Sequence, residues 1–317
     1  MLLFEHIRTL KPLLNPFVLW RRYLSLEASH KEELERNQKQ AELLQSEIYR
    51  NTELEKQMEA QSHFRIRGPR YLTPAEKSET EQFLELCKIR TCSVELIRVG
   101  SKNDGGYLIP KLGKDYDLVI SGGIESNSDF EMELAKAGAR VIAADFSIDK
   151  LPREHPEIKF YKKYISDLTL GEKLVSLDDL IGEHAEQSKN PFLKLDIEGG
   201  EWSALLSIRT ETLASFSTLV IEFHWMENAE NSQALNVIKQ VFTKILFDFD
   251  LVHVHPNNNA KAVKLFDNEV PNVFEATFLN KRENGHSAVA RKLNSGLDAD
   301  NNPDLSGFGL SNLWFER

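Results

Sequence analysis

Two short apolar runs that end abruptly in acids stand out along the chain: PFLKLDIEGGEW (Pro191–Trp202) and STLVIEFHW (Ser217–Trp225). Near-continuous apolar runs of this length fit strands buried on both faces of a parallel sheet, and open α/β sheets hold ligands just past the carboxyl ends of such strands. Asp196, Glu198, Glu222 and His224 then share one rim. From Tyr71 onward the pattern alternates between helical and strand periods, the signature of an α/β sheet. It predicts a helix near Pro74–Cys87, then a strand Leu96–Val99 running into GSKNDGGYLIP (Gly100–Pro110). That segment reads either as a hairpin with an Asp-Gly turn or as a turn that approaches a ligand, with Tyr107 projecting beyond it. A strand at Asp117–Ile120 leads into a glycine loop, Ser121–Asn127, and a helix from about Asp129. Arg140–Ala144 and Ile158–Ile165 read as the next two strands, and Ser176 as the N-cap of a helix opening at SLDDLI (Ser176–Ile181). The two acid-ended runs are the fourth and fifth strands. A long helix, about Ser232–Asp248, precedes a terminal antiparallel pair, Phe249–Asn259 and Val270–Lys281.

The first part of the chain has a different pattern. Residues 1–26 interleave large apolar groups with Arg8, Lys11, Arg21 and Arg22, a composition suited to a membrane interface or to a helical hairpin packed on protein. Pro12 and Pro16 break a continuous amphipathic helix there. Residues 27–62 are charged, free of Gly and Pro, and rich in helix formers. Leu34, Ala41 and Ile48 recur every seven residues; Leu44 and Met58 take the second seam position, which Asn37 and Asn51 interrupt. A short coiled coil and a solvated single helix both fit, and the former offers a route to a homo-oligomer. Gly68-Pro69 marks the boundary, giving a helical extension over 1–67 and an α/β domain over 70–317.

Composition narrows the class. With 41% hydrophobic and 28% charged residues the chain suits a globular protein with a sizeable core. A net charge of −10 argues against a phosphate-tracking nucleic-acid binder. Two cysteines, Cys87 and Cys92, make a disulfide framework unexpected and favour a cytoplasmic location, with peripheral membrane contact through residues 1–26 as the variant. No segment approaches the ~18 apolar residues of a membrane span, and Lys11, Pro12 and Pro16 interrupt any signal-peptide core.

Candidate chemistry follows from position. Strand, glycine turn and helix form the nucleotide-cradling unit of doubly wound folds, although an adjacent pair, Gly122-Gly123, replaces the spaced triplet of a dinucleotide fingerprint. Glu125 and Asn127 are placed to hold an amine. Asp145, ending the next strand, either accepts from ribose hydroxyls or caps a following helix. Asp196 and Glu222 on adjacent strand ends offer hard oxygen ligands for Mg²⁺, and His224, two residues on, is a base or a third ligand; as a nitrogen ligand it tilts the choice toward Mn²⁺ or another transition metal. The alternative for Glu222 and His224 is a surface ion pair or cap network. His253 and His255 share one strand face, so one of them can face the cleft near Asn257; the alternative is a structural role. Asp298, Asp300 and Asn302 begin like a calcium loop, but glycine at the sixth position and the closing Glu are missing.

Taken in order, VGSKNDGGYLI, VISGGIESNSDFE, VIAADFS, SLDDLI, FLKLDIEGGEW and LVIEFHW, with HVHPNN, VPNVFEATFLN and LDADNNPDL beyond them, resemble the FkbM-type methyltransferases. The likeness covers about Ile89–Leu305, and it departs from the family pattern where Ser121 replaces the acid that opens the glycine loop. It implies a class I methyltransferase fold, Rossmann-like and doubly wound, with a mostly parallel sheet. The implied activity is S-adenosylmethionine-dependent O-methylation of a small-molecule or glycan acceptor, on a sugar hydroxyl. By the same resemblance Gly122, Gly123 and Glu125 lie under the methionine part, Asp145 holds the ribose and Asp196 sits beside the transferring methyl; Asp104 and Phe146 complete the expected cofactor lining, and Asp196, His224 and His255 form the expected catalytic set. Two other classes stay open at this point: a nicotinamide-dependent oxidoreductase on the same sheet, and a non-catalytic scaffold that works through residues 1–62.

Overall fold

The computed structural model describes residues 73–184, 188–292 and 296–316. The chain separates into two units, Met1–Ala60 and Gln61–Arg317, and all described residues belong to the second. The expected helical extension and coiled coil lie outside the described residues.

The central sheet has seven strands in the order β10-β13-β9-β8-β3-β4-β5. These are β3 (Leu118–Gly122), β4 (Arg140–Ala144), β5 (Ile158–Tyr161), β8 (Pro191–Leu195), β9 (Thr218–Phe223), β10 (Phe249–Pro256) and β13 (Phe274–Asn280). Neighbours from β5 to β9 run parallel, and β13 is antiparallel to both β9 and β10. The chain winds outward from β3 to β5, then returns to β8 on the other side of β3. The crevice between β3 and β8 is therefore the topological switch point, where open α/β sheets take ligands. The fold is a doubly wound, mostly parallel α/β sheet with a terminal antiparallel pair.

Hydrophobic burial builds two layers on this sheet. One face carries Ile120, Leu193, Leu195, Ile221, Phe223 and Phe278. Against it pack α1 (Lys77–Leu86), α3 (Leu177–Gly182), α4 (Glu201–Ser207), α5 (Thr210–Ser215) and α6 (Ser232–Asp248). In α6, Leu235, Ile238, Val241, Phe242 and Ile245 are all buried, the stripe a 3.6-residue period directs inward. Asn231 starts this helix by accepting from the amides of Gln233 and Ala234. The other face carries Val119, Val141, Phe192 and Val220 under α2 (Asp129–Lys136) and a hairpin of β1 (Leu96–Gly100) and β2 (Gly106–Pro110).

Three strand expectations need correction. Ile158–Ile165 is two strands, β5 and β6 (Tyr164–Ser166), and β6 pairs with β7 (Leu174–Ser176) in a separate small sheet. The Lys162-Lys163 pair, too costly to bury, is where the chain leaves the central sheet. β3 begins one residue later than read and continues through Gly122. Between the terminal pair lies an unforeseen hairpin of β11 (Ala262–Leu265) and β12 (Asn268–Pro271). Only Leu265 is buried in β11, so no apolar period announced it. A short helix, α7 (Lys281–Asn284), follows β13.

Candidate active site at the switch point

The hairpin-covered face becomes polar toward the carboxyl ends of the strands. Lys194 on β8 stands in register with Ser121 on β3 and Val220 on β9; Val220 faces Thr277, which faces His253. One step further along, Asp196 sits beside Glu222, Glu222 is paired with Glu275 on β13, and Glu275 with His255 on β10. Period-two alternation thus makes a transverse row of Asp196, Glu222, Glu275 and His255. The hairpin reaches down onto this row: the Tyr107 hydroxyl donates to Asp196 Oδ2 at 3.0 Å, and Thr277 Oγ1 donates to the Leu108 carbonyl at 2.7 Å. GSKNDGGYLIP is therefore a hairpin whose second strand feeds the rim. Burial raises the Tyr107 phenol well above its ordinary value, so it stays a donor.

Around Asp196 the arrangement is dense. Lys194 is 4% exposed and its ammonium donates to the carbonyls of Gly122 and Gly123, with Asp196 Oδ2 3.8 Å away. On the other side His224 Nε2 lies 3.9 Å from Asp196 Oδ1, 3.6 Å from Glu198 Oε2 and 4.0 Å from Glu222 Oε1. His224 Nδ1 is bound to Glu201 Oε1 at 3.1 Å, and the same oxygen accepts from the His224 amide at 2.8 Å. Glu201 also accepts from the Gly199 amide, and it is wholly buried. Burial works against a charged imidazole, but Glu201 beside it, then Glu222 and Asp196, push the ring up to about 10. Trp202 is buried and donates to the His224 carbonyl, a packing role.

Three rim residues other than glycine adopt left-handed backbone: Glu125 (φ 47°), Glu198 (φ 53°) and Trp225 (φ 62°). They follow β3, β8 and β9 respectively. Each costs about 1–3 kcal/mol, and such outliers gather where function over-determines the backbone. The Trp225 indole lies where a side chain on Gly199 would go, 2.3 Å from the position of an added Cβ.

The predicted cofactor residues divide into groups. Gly123 approaches the tip of β8 so closely that an added Cβ would stand 1.5 Å from the Asp196 carbonyl oxygen. Gly122 is part of β3, and its open side faces Leu195, Ile165 and Ile197 rather than the rim. Asp145 fixes the glycine loop: Oδ2 accepts from the Ile124 and Glu125 amides at 2.7 and 2.9 Å, while Oδ1 accepts from the Ser147 amide and hydroxyl, both at 2.7 Å. Burial opposes this carboxylate, but those donors hold it below its ordinary value. No helix starts there, so the helix-cap alternative falls; Asp145 closes a turn instead. Glu125 is exposed at the loop. Phe146 stacks on Tyr164, with ring centroids 4.3 Å apart, at the outer edge of β4. Asp104 sits on the hairpin tip, where its Oδ1 accepts from Asn301 and its carbonyl from Asn127.

The remaining predictions separate spatially. Asp196 and His224 adjoin. His255 lies three strands from Asp196, about 14 Å by strand spacing. Its Nδ1 is 3.7 Å from Asp298 Oδ1, its buried Nε2 has no hydrogen bond among the described residues, and burial pulls the ring below its ordinary value. Glu222 and His224 are 3% and 5% exposed, which overturns the surface ion-pair alternative. Glu222 Oε1 accepts from Asn257 at 2.7 Å, so that oxygen is held by protein. Burial, then Asp196 and Glu275, drive the Glu222 carboxyl well above the carboxylate range. Among the described residues, the group with ligand atoms close enough to share a cation is Asp196, Glu198 and His224, not Asp196, Glu222 and His224.

Sequence reasoning missed Lys194, Glu275 and the role of Glu201. Lys194 did leave a signal, as a charge two residues before Asp196 in an otherwise apolar strand, hence on the same face. Asp298, set aside as a failed calcium loop, binds His253 Nε2 at 2.9 Å, while Asn301 donates to Glu275 at 2.8 Å.

Fold and site together define an α/β protein whose polar centre stands at the switch point of an open parallel sheet. Residues 169–249 match the family model described as Methyltransferase FkbM domain. That segment runs from β7 to the start of β10 and holds Asp196, Glu201, Glu222 and His224; the glycine loop and Asp145 precede it. The resemblance read from the motifs is thereby shown for this stretch. No curated protein matches the chain. Among solved structures the chain is similar to a fibrillarin/Nop5p complex at 11% identity over 53% of this chain and 74% of that one, with a TM-score of 0.34. It is also similar to a putative rRNA-methylase from Clostridium thermocellum at 9% identity over 53% and 89%, with a TM-score of 0.30. A third is a precorrin-6y C5,15-methyltransferase from Geobacter metallireducens GS-15, at 10% identity over 66% and 95%, with a TM-score of 0.28. Likeness at this level bears on neither substrate nor mechanism.

Proposed function

We propose that the protein transfers a methyl group from S-adenosylmethionine to a hydroxyl of a sugar or glycan-linked acceptor. The observation that carries the reading is the pairing of Asp196 with His224 at the β3/β8 switch point, beside a glycine loop, within the stretch that matches the FkbM domain. Bound there, the cofactor supplies a methyl group on a sulfonium, which needs no further activation. Gly123 and Glu125 flank the methionine part, Asp145 and Phe146 the ribose and base, and Asp104 closes the site from the hairpin.

The donor set fits this ligand on one condition. Both Asp145 oxygens are engaged, so a ribose takes the place of the Ser147 hydroxyl, which belongs to an exposed residue and is free to rotate away. Alignment of acceptor and methyl is the main catalytic resource, on the order of 7–11 kcal/mol when a bimolecular step becomes unimolecular. An alcohol must also lose its proton. Asp196 Oδ1 is the oxygen that Tyr107 leaves open, and it takes that proton, while Lys194 and the charged His224 offset the negative charge on the rim. Glu198, exposed, is the entry side. The acceptor class, a peripheral membrane location through residues 1–26 and pairing through the N-terminal helices are parts of the same proposal. No described helix is long and apolar enough to cross a membrane.

Titration calorimetry with S-adenosylhomocysteine tests the cofactor, and labelled S-adenosylmethionine with a panel of glycans tests transfer. Asp145→Ala is expected to weaken binding by about a hundredfold or more, through loss of several charge-assisted hydrogen bonds. Unchanged affinity in that variant, or thermal protection by NADH alone, overturns the reading.

A further inference from the structure

We infer that the rim also binds one divalent transition-metal ion, of the Mn²⁺ or Zn²⁺ kind, through Asp196, Glu198 and His224, with Glu201 as the residue that orients the imidazole. The use of such an ion in turnover rests on the methyl-transfer reading; the site itself does not.

Ligand atoms of the three residues lie within 4.8 Å of one another. His224 Nε2 stands 3.6 Å from Glu198 Oε2 and 3.9 Å from Asp196 Oδ1. Those separations are too long for hydrogen bonds. They approach the spacing of about 3–4 Å expected for ligand atoms each about 2.0–2.2 Å from a shared ion. A second observation concerns the histidine itself. His224 is 5% exposed, and no hydrogen bond among the described residues reaches its Nε2. A carboxylate only accepts, so the contact from Nδ1 to Glu201 keeps one ring proton on Nδ1 and directs Nε2 at the gap between Asp196 and Glu198, where a bound ion would displace the second ring proton. A buried carboxylate behind a histidine whose far nitrogen is unused is the outer support that metal-binding imidazoles have.

Glu222 does not complete the set, because its nearer oxygen is held by Asn257 at 2.7 Å and it is 3% exposed. Glu198 does, and its exposure leaves a path for the ion and open positions for water or a hydroxyl, as in catalytic rather than structural centres. One nitrogen and two carboxylate oxygens suit Mn²⁺ or Zn²⁺ better than Mg²⁺, which favours an all-oxygen octahedron. An ion so held acidifies the hydroxyl it binds. With the ion bound, Asp196 would hold it and the proton of the acidified hydroxyl would leave to water on the exposed Glu198 side; without the ion, Asp196 Oδ1 takes that proton.

The test uses the full chain, stripped with EDTA and titrated with Mn²⁺ under electron paramagnetic resonance, with Mg²⁺ as comparator and S-adenosylhomocysteine affinity measured on the same samples. One Mn²⁺ per chain is expected, bound more tightly than Mg²⁺. Glu198→Gln and His224→Ala should weaken it at least about tenfold, and Glu201→Gln by about 10–100-fold. Glu222→Gln should leave it within about threefold. Glu198 is exposed, so Glu198→Gln decides the matter if the buried variants fail to fold. No Mn²⁺ binding by a chain that binds S-adenosylhomocysteine overturns the metal site and leaves methyl transfer standing. Mn²⁺ binding indifferent to Glu198→Gln and His224→Ala also overturns it. Mn²⁺ binding lost in those variants, in a chain without affinity for S-adenosylhomocysteine, upholds the metal site and overturns the methyl-transfer reading.

Discussion

Lys194 shows how one residue couples the core to the rim. A lysine in the middle of a buried parallel strand is costly unless its ammonium is met by acceptors. Here the carbonyls of Gly122 and Gly123 meet it, and Asp196 lies 3.8 Å away. The Gly122 carbonyl has a second donor in the Asp196 amide, so the lysine matters most to Gly123 and hence to the shape of the cofactor loop. Lys194→Met keeps the volume and removes the donor. It is expected to cost about 1–3 kcal/mol in urea denaturation, the penalty of a buried acceptor left unpaired. The same variant should lower S-adenosylhomocysteine affinity by about tenfold, one lost charge-assisted bond's worth. Unaltered affinity would mean that the loop holds its shape without the lysine. Glu201 acts in a similar way from a helix start. Its three accepted hydrogen bonds reach Gly199 and both the backbone and ring of His224, joining the ends of β8 and β9.

At the scale of elements, the tips of β3 and β8 interlock. Gly123 has φ +78° and no room for a side chain against the Asp196 carbonyl. A methyl group there can be relieved only by parting the loop from the strand end. Gly123→Ala should therefore cost about 3 kcal/mol or more, whereas Gly113→Ala, which meets nothing within 4 Å, should stay within about 0.5 kcal/mol. Thermal unfolding of the two variants side by side checks the contrast. Strand ends of this kind were legible in the sequence, because buried parallel strands write themselves as apolar runs and Asp196, Glu222 and His224 stop those runs. Arg140–Ala144 and Ser232–Asp248 were legible for the same reason, having clear periods and clear stops. The two sides of the β11/β12 hairpin were not, since burial comes only at the end of each short strand and leaves no alternation to read. Nor was the choice between Glu198 and Glu222 as partner of His224. Spacing put Glu222 on the right face, but Asn257, distant in sequence, took its oxygen. The left-handed turn at Glu198, which carries its carboxylate to within 3.6 Å of Nε2, has no counterpart in a period-two pattern.

Among the described residues, Glu222 and Glu275 are buried side by side on one face of the sheet, and that has a consequence for stability. Glu275 is 6% exposed and faces Glu222 across the antiparallel pair. Burial, with added repulsion from Asp196 and Asp104, outweighs the Asn301 hydrogen bond and Arg98 and pushes its carboxyl up to about 8 from the ordinary 4.5. Between those values the folded chain keeps a proton that the unfolded chain has released, so the unfolded state binds fewer protons and stability falls as pH rises. His224 adds the same sign in a higher window. In the metal-free chain its ring is held up to about 10 against an ordinary 6.5, so its contribution is complete below 6.5 and lost as pH climbs through 10. Glu222, raised by burial, adds the same sign, while His255, pulled below its ordinary value, opposes it below 6.5; metal-free protein should therefore lose stability from about pH 6.5 toward pH 8 and beyond, the reverse of a protein held together by ionised surface carboxylates. Glu275→Gln supplies a neutral amide in place of the protonated acid and removes its own contribution from these. Urea midpoints measured from pH 5 to pH 9 should fall less steeply in that variant than in the parent between about pH 5 and 8, and the two curves should run parallel above that. Equal slopes through the lower window would show that Glu275 ionises without penalty, and that the acids of the row are solvated rather than sealed beneath the hairpin.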